Sequence, residues 1–303
     1  MSPLLSINSL NRGDQPIHSK DHSVGGIFRD RKIVIQFFIC AICVGILYYD
    51  VFAKLMHDWV NLPDFSHGFF IPFISLYFVW ERKNRLHEIP PTPSILGVGV
   101  LFIGLLLLMA GNLAAEMFVM RFSFLVVLSG IVIFLLGWPF FKKLLFPIGF
   151  LVFMIPIPSV LMQKITFPMQ LFASNVATFS LQQIGIPVLR EGNIIHLAHT
   201  TLEVAEACSG IRSLISLLAL GTVFAYFTKK VLWERVIIVI SCFPIAIFVN
   251  ALRVSATGIL ANYYGIGAAQ GFFHGFSGYI LFLIAFIMLI AAGYLLSTIR
   301  SRR

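Results

Sequence analysis

The run Ile95-Leu96-Gly97-Val98-Gly99-Val100-Leu101-Phe102-Ile103-Gly104-Leu105-Leu106-Leu107-Leu108-Met109-Ala110-Gly111 is followed, after a short break, by Val119-Met120-Arg121-Phe122-Ser123-Phe124-Leu125-Val126-Val127-Leu128-Ser129-Gly130-Ile131-Val132-Ile133-Phe134-Leu135-Leu136-Gly137. Each run is close to the roughly 20 apolar residues that a helix needs to cross a bilayer. In hydrocarbon the backbone must satisfy its own polar groups, which leaves helical bundles or closed barrels. These runs are long and continuous, not short and alternating. They read as transmembrane helices and not as barrel strands.

The rest of the chain repeats the pattern. Apolar residues make up 58% of the 303 residues, charged residues 12%, and mean hydropathy is +0.92. A soluble domain carries about 25% charged residues, so the solvent for most of this chain is lipid. The expected fold is an all-α integral membrane protein. It is a polytopic bundle of about eight transmembrane helices with a small outer-face cap, an interfacial helix plus a short β-hairpin. The net charge of +9 does not point to nucleic acid. The basic residues sit in short clusters between apolar runs, as the positive-inside rule produces. Cys40, Cys43 and Cys242 fall inside apolar runs, and no metal-type Cys/His spacing appears, so neither metal nor cofactor is expected.

Residues 1–32 are polar and read as a disordered basic cytoplasmic tail, with 33–303 a single membrane domain. No small-residue cleavage site follows the first apolar run, so the tail is not a signal peptide. Spans are expected at about 33–52, 67–80, 95–111, 119–137, 144–157, 210–228, 234–252 and 275–297. The second and fifth are short, and the fifth ends in Ile155-Pro156-Ile157-Pro158. With the N-terminus inside, most lysines and arginines fall in cytoplasmic segments: the tail, Arg82/Lys83/Arg85, Lys142/Lys143, Lys229/Lys230/Arg235 and the C-terminal arginines. Lys54, Arg121, Lys164, Arg190, Arg212 and Arg253 remain outside. Both termini are then cytoplasmic.

The outer segment at about 158–207 is too polar to span. Within 160–184, Leu161, Ile165, Pro168, Leu171, Phe172, Val176 and Phe179 recur near helical spacing, which reads as an amphipathic interfacial helix. Ile186 to Leu197 reads as a hairpin with its turn at Glu191-Gly192-Asn193, and Thr200 to Val204 as a further extended piece.

The inferred topology places three reactive side chains at one depth on the outer side: Cys208 at the start of span six, Arg253 at the end of span seven and His274 at the start of span eight. A thiol, a guanidinium and an imidazole can perform acyl transfer. A thiolate nucleophile is favoured by an imidazolium, a cation or a helix N-terminus. The imidazole can protonate a leaving amine. A fixed guanidinium stabilises a tetrahedral oxyanion, with Gly210 and the N–H groups after Cys208 as further donors. Taken singly, each residue has a plainer reading: a structural thiol, an arginine snorkelling to headgroups, an interfacial histidine.

Together these residues carry a resemblance. Glu206-Ala207-Cys208-Ser209-Gly210-Ile211-Arg212-Ser213, then Asn250-Ala251-Leu252-Arg253, then Phe273-His274-Gly275 are similar to the three motifs of the exosortase/archaeosortase family. Ser66-His67-Gly68, Pro156-Ile157-Pro158, Gly185-Ile186-Pro187-Val188 and Arg190-Glu191-Gly192-Asn193 also fit, so the resemblance runs from about residue 33 to 297. It implies a membrane cysteine transpeptidase of the bacterial inner membrane. Its substrates would be exported proteins with a C-terminal sorting signal: a short motif such as Pro-Glu-Pro, a transmembrane helix and a basic tail. It implies Cys208 as nucleophile, His274 as acid/base and Arg253 as oxyanion stabiliser, at the periplasmic face. Some members carry a fused soluble C-terminal domain. This chain ends at Arg303 without one, which leaves room for a separate periplasmic accessory protein.

Other residues carry weaker expectations. Glu206 would orient Arg212, Arg253 or His274, or form a structural salt bridge. Ser209 and Asn250 flank the reactive residues within their motifs. His67 reads as structural, with an outer location that permits substrate contact. His196 and His199 would not share a face in an extended segment, which argues against a metal site. Two other readings compete. A transporter or flippase for a lipid-linked glycan predicts ionisable residues at mid-membrane depth, yet the spans have few at their centres. A scaffold for extracellular polysaccharide export predicts that Cys208, Arg253 and His274 are each dispensable.

Overall fold

The computed structural model describes residues 31–204, 210–265, 267 and 272–301, with side chains of the final helix from Gly278 to Arg300. It is a helical bundle with one small sheet. In chain order the helices are α1 (Arg31–Leu47), α2 (Tyr49–Asn61), α3 (Ile71–Glu81), α4 (Lys83–His87), α5 (Leu96–Leu113), α6 (Met117–Leu136), α7 (Trp138–Phe150), α8 (Ser159–Gln183), α9 (Ile211–Thr228), α10 (Leu232–Tyr264) and α11 (Phe272–Ser301). Tight 3-10 turns at Pro63–Phe69 and Leu151–Met154 precede α3 and follow α7. The expected tail at 1–32 lies outside the described residues apart from its last two positions.

Among the described residues five helices are long and apolar enough to cross a membrane: α5, α6, α9, α10 and α11. The count becomes seven if two bent pairs are each one span. The expected span 33–52 is the first of these: the chain bends by 67° between α1 and α2. The bend is at Tyr48, which is buried and shares a hydrogen bond of 2.8 Å with Ser123 of α6. The expected span 67–80 is shorter still as a helix. Its first residues belong to the 3-10 turn, and α3 has 11 residues, or about 16 Å of rise. That is half a bilayer core.

The hairpin α5–α6 shows how apolar helices hold together where lipid offers no hydrophobic gain. Gly97, Gly104 and Gly111 recur every seventh residue and form the buried face of α5. A Cβ at Gly97 would lie 2.3 Å from the Phe134 backbone nitrogen, so only glycine permits this backbone approach. The remaining face of α5, with Phe102, Leu106 and Met109, is exposed, as lipid contact requires.

The segment after α7 forms the expected helix and shows which of its faces is inward. The helix α8 forms over nearly the expected residues, bent by 80° from the preceding helical segment. Its orientation is the reverse of a soluble amphipathic helix. Leu161, Phe172 and Phe179 are exposed, while Thr166, Gln170, Ala173, Ser174, Ala177 and Thr178 are buried. Small and weakly polar residues let α8 lie close against α10, and the large apolar residues face outward, where the solvent is hydrocarbon.

The sheet completes the expected cap and adds to it. Strands β1 (Val188–Glu191) and β2 (Ile194–Leu197) pair antiparallel, with Glu191 opposite Ile194. The loop is therefore Gly192-Asn193 alone, with Gly192 at φ +64°, and Glu191 belongs to the strand. A third strand, β3 (Thr201–Glu203), pairs with β2. Ile195, Leu197, Leu202 and Val204 pack on Ala173, Ala177 and Leu181 of α8 and on Val254 and Ala261 of α10.

This explains a further difference. The seventh span was expected to end at 252, but α10 continues to Tyr264. The 11 residues past Arg253 stand against the cap, whose apolar cluster covers Val254 and Ala261.

The basic loops gather at one end of the bundle. Arg82, after α3, donates to the Tyr226 hydroxyl of α9 at 2.9 Å and to the Lys143 carbonyl of α7. Arg235 of α10 donates to the Lys229 carbonyl at 2.8 Å. Arg300 of α11 pairs with buried Glu234 at 2.9 Å. Lys229 is buried and donates to the Gly293 carbonyl at 2.6 Å.

Candidate active site

The opposite end holds the candidate site. On α10, Arg235 and Arg253 bracket a stretch with no charged residue. At 1.5 Å per residue they stand about 27 Å apart along the axis, close to the thickness of a hydrocarbon core. With Arg235 in the basic end, Arg253 lies toward the other end of the bundle, next to Val254, which packs in the apolar cluster of the cap.

Arg253 is half-buried, and its guanidinium donates to Asn250 Oδ1 at 2.8 Å. Asn250 lies one turn earlier on α10 and is itself buried. Gly210 caps the start of α9 in the left-handed conformation, φ +77°. A Cβ there would lie 2.7 Å from Asn250 Cγ. The residue that ends the Cys208 segment is thus pressed against the residue that positions Arg253.

Between these helices lies a cavity of about 10 Å³, lined by Ser213 of α9, Ala246, Val249, Asn250 and Arg253 of α10, and Gly278, Leu281 and Ala285 of α11. It has room for about one water. Ser213 is one turn past Gly210, and Gly278 is four residues past His274 along α11. The helices that carry Arg253 and His274 and the start of α9 therefore meet at one cavity. Cys208, Glu206 and Ser209 lie outside the described residues, as does the side chain of His274, whose backbone is in the first turn of α11.

The remaining candidates separate from this centre. Arg212 does not turn inward; it donates to Asp64 Oδ1 at 2.8 Å and is largely exposed. His67 stands in the 3-10 turn that carries Asp64, with its Nε2 at 3.2 Å from the Phe153 carbonyl. Burial lowers its pKa, partly offset by backbone hydrogen bonds to Phe153 and Asp64, so the ring is held neutral. In the same region Trp59 Nε1 donates to the Met154 carbonyl at 2.9 Å. His67 and Arg212 thus join the turn before α3, the end of α7 and the start of α9 into a frame beside the site.

Sequence reasoning missed two ion pairs of this end. Asp64 pairs with Arg212, and Asp58 of α2 pairs with Arg121 of α6 at 2.5 Å, with Arg121 only 4% exposed. A buried arginine inside an apolar run demands a carboxylate, but its partner is 63 residues away and the nearest carboxylate in sequence, Glu116, is not the one it meets. His196 lies 3.4 Å from Glu191 across the hairpin, and no group of three His, Cys, Asp or Glu able to hold a metal ion occurs among the described residues.

A family model described as Transmembrane exosortase (Exosortase_EpsH) matches residues 59–291. This chain belongs to the exosortase family. No curated protein and no solved structure matches it. The exosortase is thus a multi-pass membrane protein, and membership implies a membrane peptidase or transpeptidase that acts on exported proteins. The matched residues include the α9, α10 and α11 segments around the cavity and the cap.

Proposed function

We propose that this exosortase is a membrane cysteine transpeptidase in which Cys208 is the nucleophile, His274 the acid/base and Arg253 the oxyanion stabiliser. The observation that carries this reading is the convergence of α9, α10 and α11 on one cavity, with Gly210 in contact with Asn250 and Asn250 bonded to Arg253. Cys208 stands two residues before Gly210 in the sequence.

The reaction runs as acyl transfer. The Cys208 thiolate adds to the carbonyl carbon of the scissile peptide, and the carbonyl electrons move to oxygen. Arg253 and the N–H groups at the start of α9 stabilise this oxyanion. The tetrahedral intermediate collapses as the C–N bond breaks, and His274 gives its proton to the leaving amine. A thioester remains on Cys208. An acceptor nucleophile then loses its proton to His274, attacks the thioester and frees the thiolate. With water as acceptor the outcome is hydrolysis; with an amine it is transpeptidation. The cap beside Arg253 would exclude water from the thioester.

In this reading the substrate carries a Pro-Glu-Pro-like motif, a transmembrane helix and a basic tail. Residues 33–303 form one membrane domain of the inner membrane, with the 1–32 tail and both termini in the cytoplasm and the 158–207 cap in the periplasm. A separate periplasmic accessory protein fits beside that cap. The short signal motif would meet Cys208 beneath the cap while its basic tail stays about 27 Å away, in the cytoplasm. His67 and Arg212 would frame the motif's entrance.

The test is co-expression of a reporter bearing such a signal with the wild-type chain and with Cys208→Ala, Arg253→Ala and His274→Ala. Processing is followed by mass, and membrane insertion is checked for each variant. Wild-type cleavage at the motif, lost in the three inserted variants, is the expected result. Unchanged processing by Cys208→Ala would remove the cysteine mechanism, and no processing by any version would leave a different substrate motif or a transport role.

A further inference from the structure

The basic end contains a cavity that acyl transfer does not use. It measures about 400 Å³ and is lined by Arg82, Arg85, Lys142, Lys143, Leu145 and Phe146. Four cations face one open space at the junction of α3, α4 and α7. Loop charge alone would leave such residues splayed into water. Arg82 is instead fixed: its guanidinium lies 5.0 Å from the Tyr226 ring centroid and 5.4 Å from that of Phe146, and it donates to the Tyr226 hydroxyl. The carboxylate of Glu81 is engaged by the Tyr226 hydroxyl at 2.7 Å and by Arg85 at 3.4 Å. Lys142 and Lys143 have no carboxylate partner among the described residues. The cavity therefore holds surplus positive charge around a preorganised guanidinium.

Leu145, which lines the cavity, is exposed, and so are Trp80 and Trp138 on the two helices that form it, lying under Lys83 and Lys142 at 4.6 and 5.9 Å. Tryptophans beside lysines at the end of apolar helices mark the headgroup level of a bilayer. A cationic pocket between helices at that level suits a phosphate ester with acyl chains beside it.

We propose that this cavity binds the phosphate headgroup of an anionic lipid. The phosphate accepts from Arg82, Lys142 and Lys143, with Arg85 shared between the phosphate and Glu81. The acyl chains lie along Leu145 and the outer face of α7. Such a lipid clamps α3, α4 and α7 together and fixes the depth of the bundle, and with it the height of the candidate site at the far end of α10. The assignment does not depend on the cysteine chemistry.

The test uses the purified full-length chain in neutral detergent, with phosphatidylglycerol or phosphatidylcholine added and bound lipid counted by native mass spectrometry. Wild type should retain phosphatidylglycerol at least tenfold more tightly than phosphatidylcholine. Lys142→Gln with Lys143→Gln should weaken phosphatidylglycerol about thirtyfold at low salt. Lys32→Gln with Lys230→Gln removes the same charge from the basic segments without lining the cavity, and should change binding less than threefold. Arg85→Gln gives an independent single loss of about fivefold should the double variant fail to fold. Equal weakening by both double variants would reduce the effect to bulk charge and overturn the site. Full displacement of the lipid by millimolar inorganic phosphate would overturn the lipid assignment in favour of a soluble anion.

Discussion

The two ends of the bundle use arginine and lysine in opposite ways. At the site end three arginines in the helices are each held by a specific partner: Arg121 by Asp58, Arg212 by Asp64 and Arg253 by Asn250. At the basic end Glu81 pairs with Arg85 and Glu234 with Arg300, Lys142 and Lys143 have no carboxylate partner among the described residues, and Arg82 rests on aromatic rings. The first end holds charge in fixed geometry, which positions a reaction. The second holds surplus charge at the surface, which selects an anionic environment. A shared composition thus serves chemistry where cations are paired and placement where they are not.

The sharpest way to break this comparison is to strand a paired cation. Asp58→Ala leaves Arg121 buried without its carboxylate and should lower stability by about 3 kcal/mol. Thermal unfolding in detergent would show it as a clear fall in Tm, partly restored by Arg121→Met in the same chain. A Tm unchanged by Asp58→Ala would place the site end in the same class as the basic end.

Next comes the arginine beside the cap. Arg253→Gln keeps a polar side chain beside Asn250 but removes the fixed charge. We expect a 10²- to 10³-fold loss in the rate of signal processing, or about 3–4 kcal/mol, with little change in Tm. Asn250→Ala acts through Arg253 and should lose less. Rescue of its kcat by Asn250→Gln would sharpen the positioning role, because a purely structural asparagine would show its loss in Tm instead.

A smaller effect is expected at Gly210. Gly210→Ala puts a side chain at φ +77° and into contact with Asn250, at a strain of about 1–3 kcal/mol. Processing should fall more than Tm does, since the strain is delivered to the Arg253 partner. Replacing Lys230 by Gln at the other end should change stability by under about 0.5 kcal/mol, as for any exposed surface charge.

The smallest effect is a pH dependence. Burial lowers the His67 pKa, so the unfolded chain binds a proton that the folded turn refuses. Stability contributed by this residue is present above the unfolded pKa of about 6.5 and declines as pH falls below it, at no more than about 1.4 kcal/mol per pH unit. The Tm of wild type should fall from pH 7.5 to 5.5 more than that of His67→Gln. Equal slopes would remove His67 as the source.

Much of this was legible in order along the chain. The apolar runs at 95–111 and 119–137 became α5 and α6, and the turn residues around Gly192 became a hairpin. The helices bearing Arg253 and His274 meet the start of α9, as their motif order suggested. The length of α10 past Arg253 was not legible, because its extension is held by the cap and not by lipid. Nor was the direction in which α8 faces. Periodicity shows that a helix has an apolar stripe, but not whether that stripe meets protein or hydrocarbon. In a bilayer the inward face is the one that packs closest, which favours Ala173, Ser174 and Ala177 over Phe172 and Phe179.

The sequence by itself determined the solvent of this protein, the clustering of its basic loops and the family of its motifs. Those properties follow from residue-by-residue transfer free energies and from local patterns, which need no partner. Tertiary structure alone decided the partners: Arg121 with an aspartate 63 residues away, Arg212 with one 148 residues away, and Asn250 against the left-handed turn at Gly210. An ion pair in a bundle is chosen by which helices touch, and that depends on the packing of the whole chain.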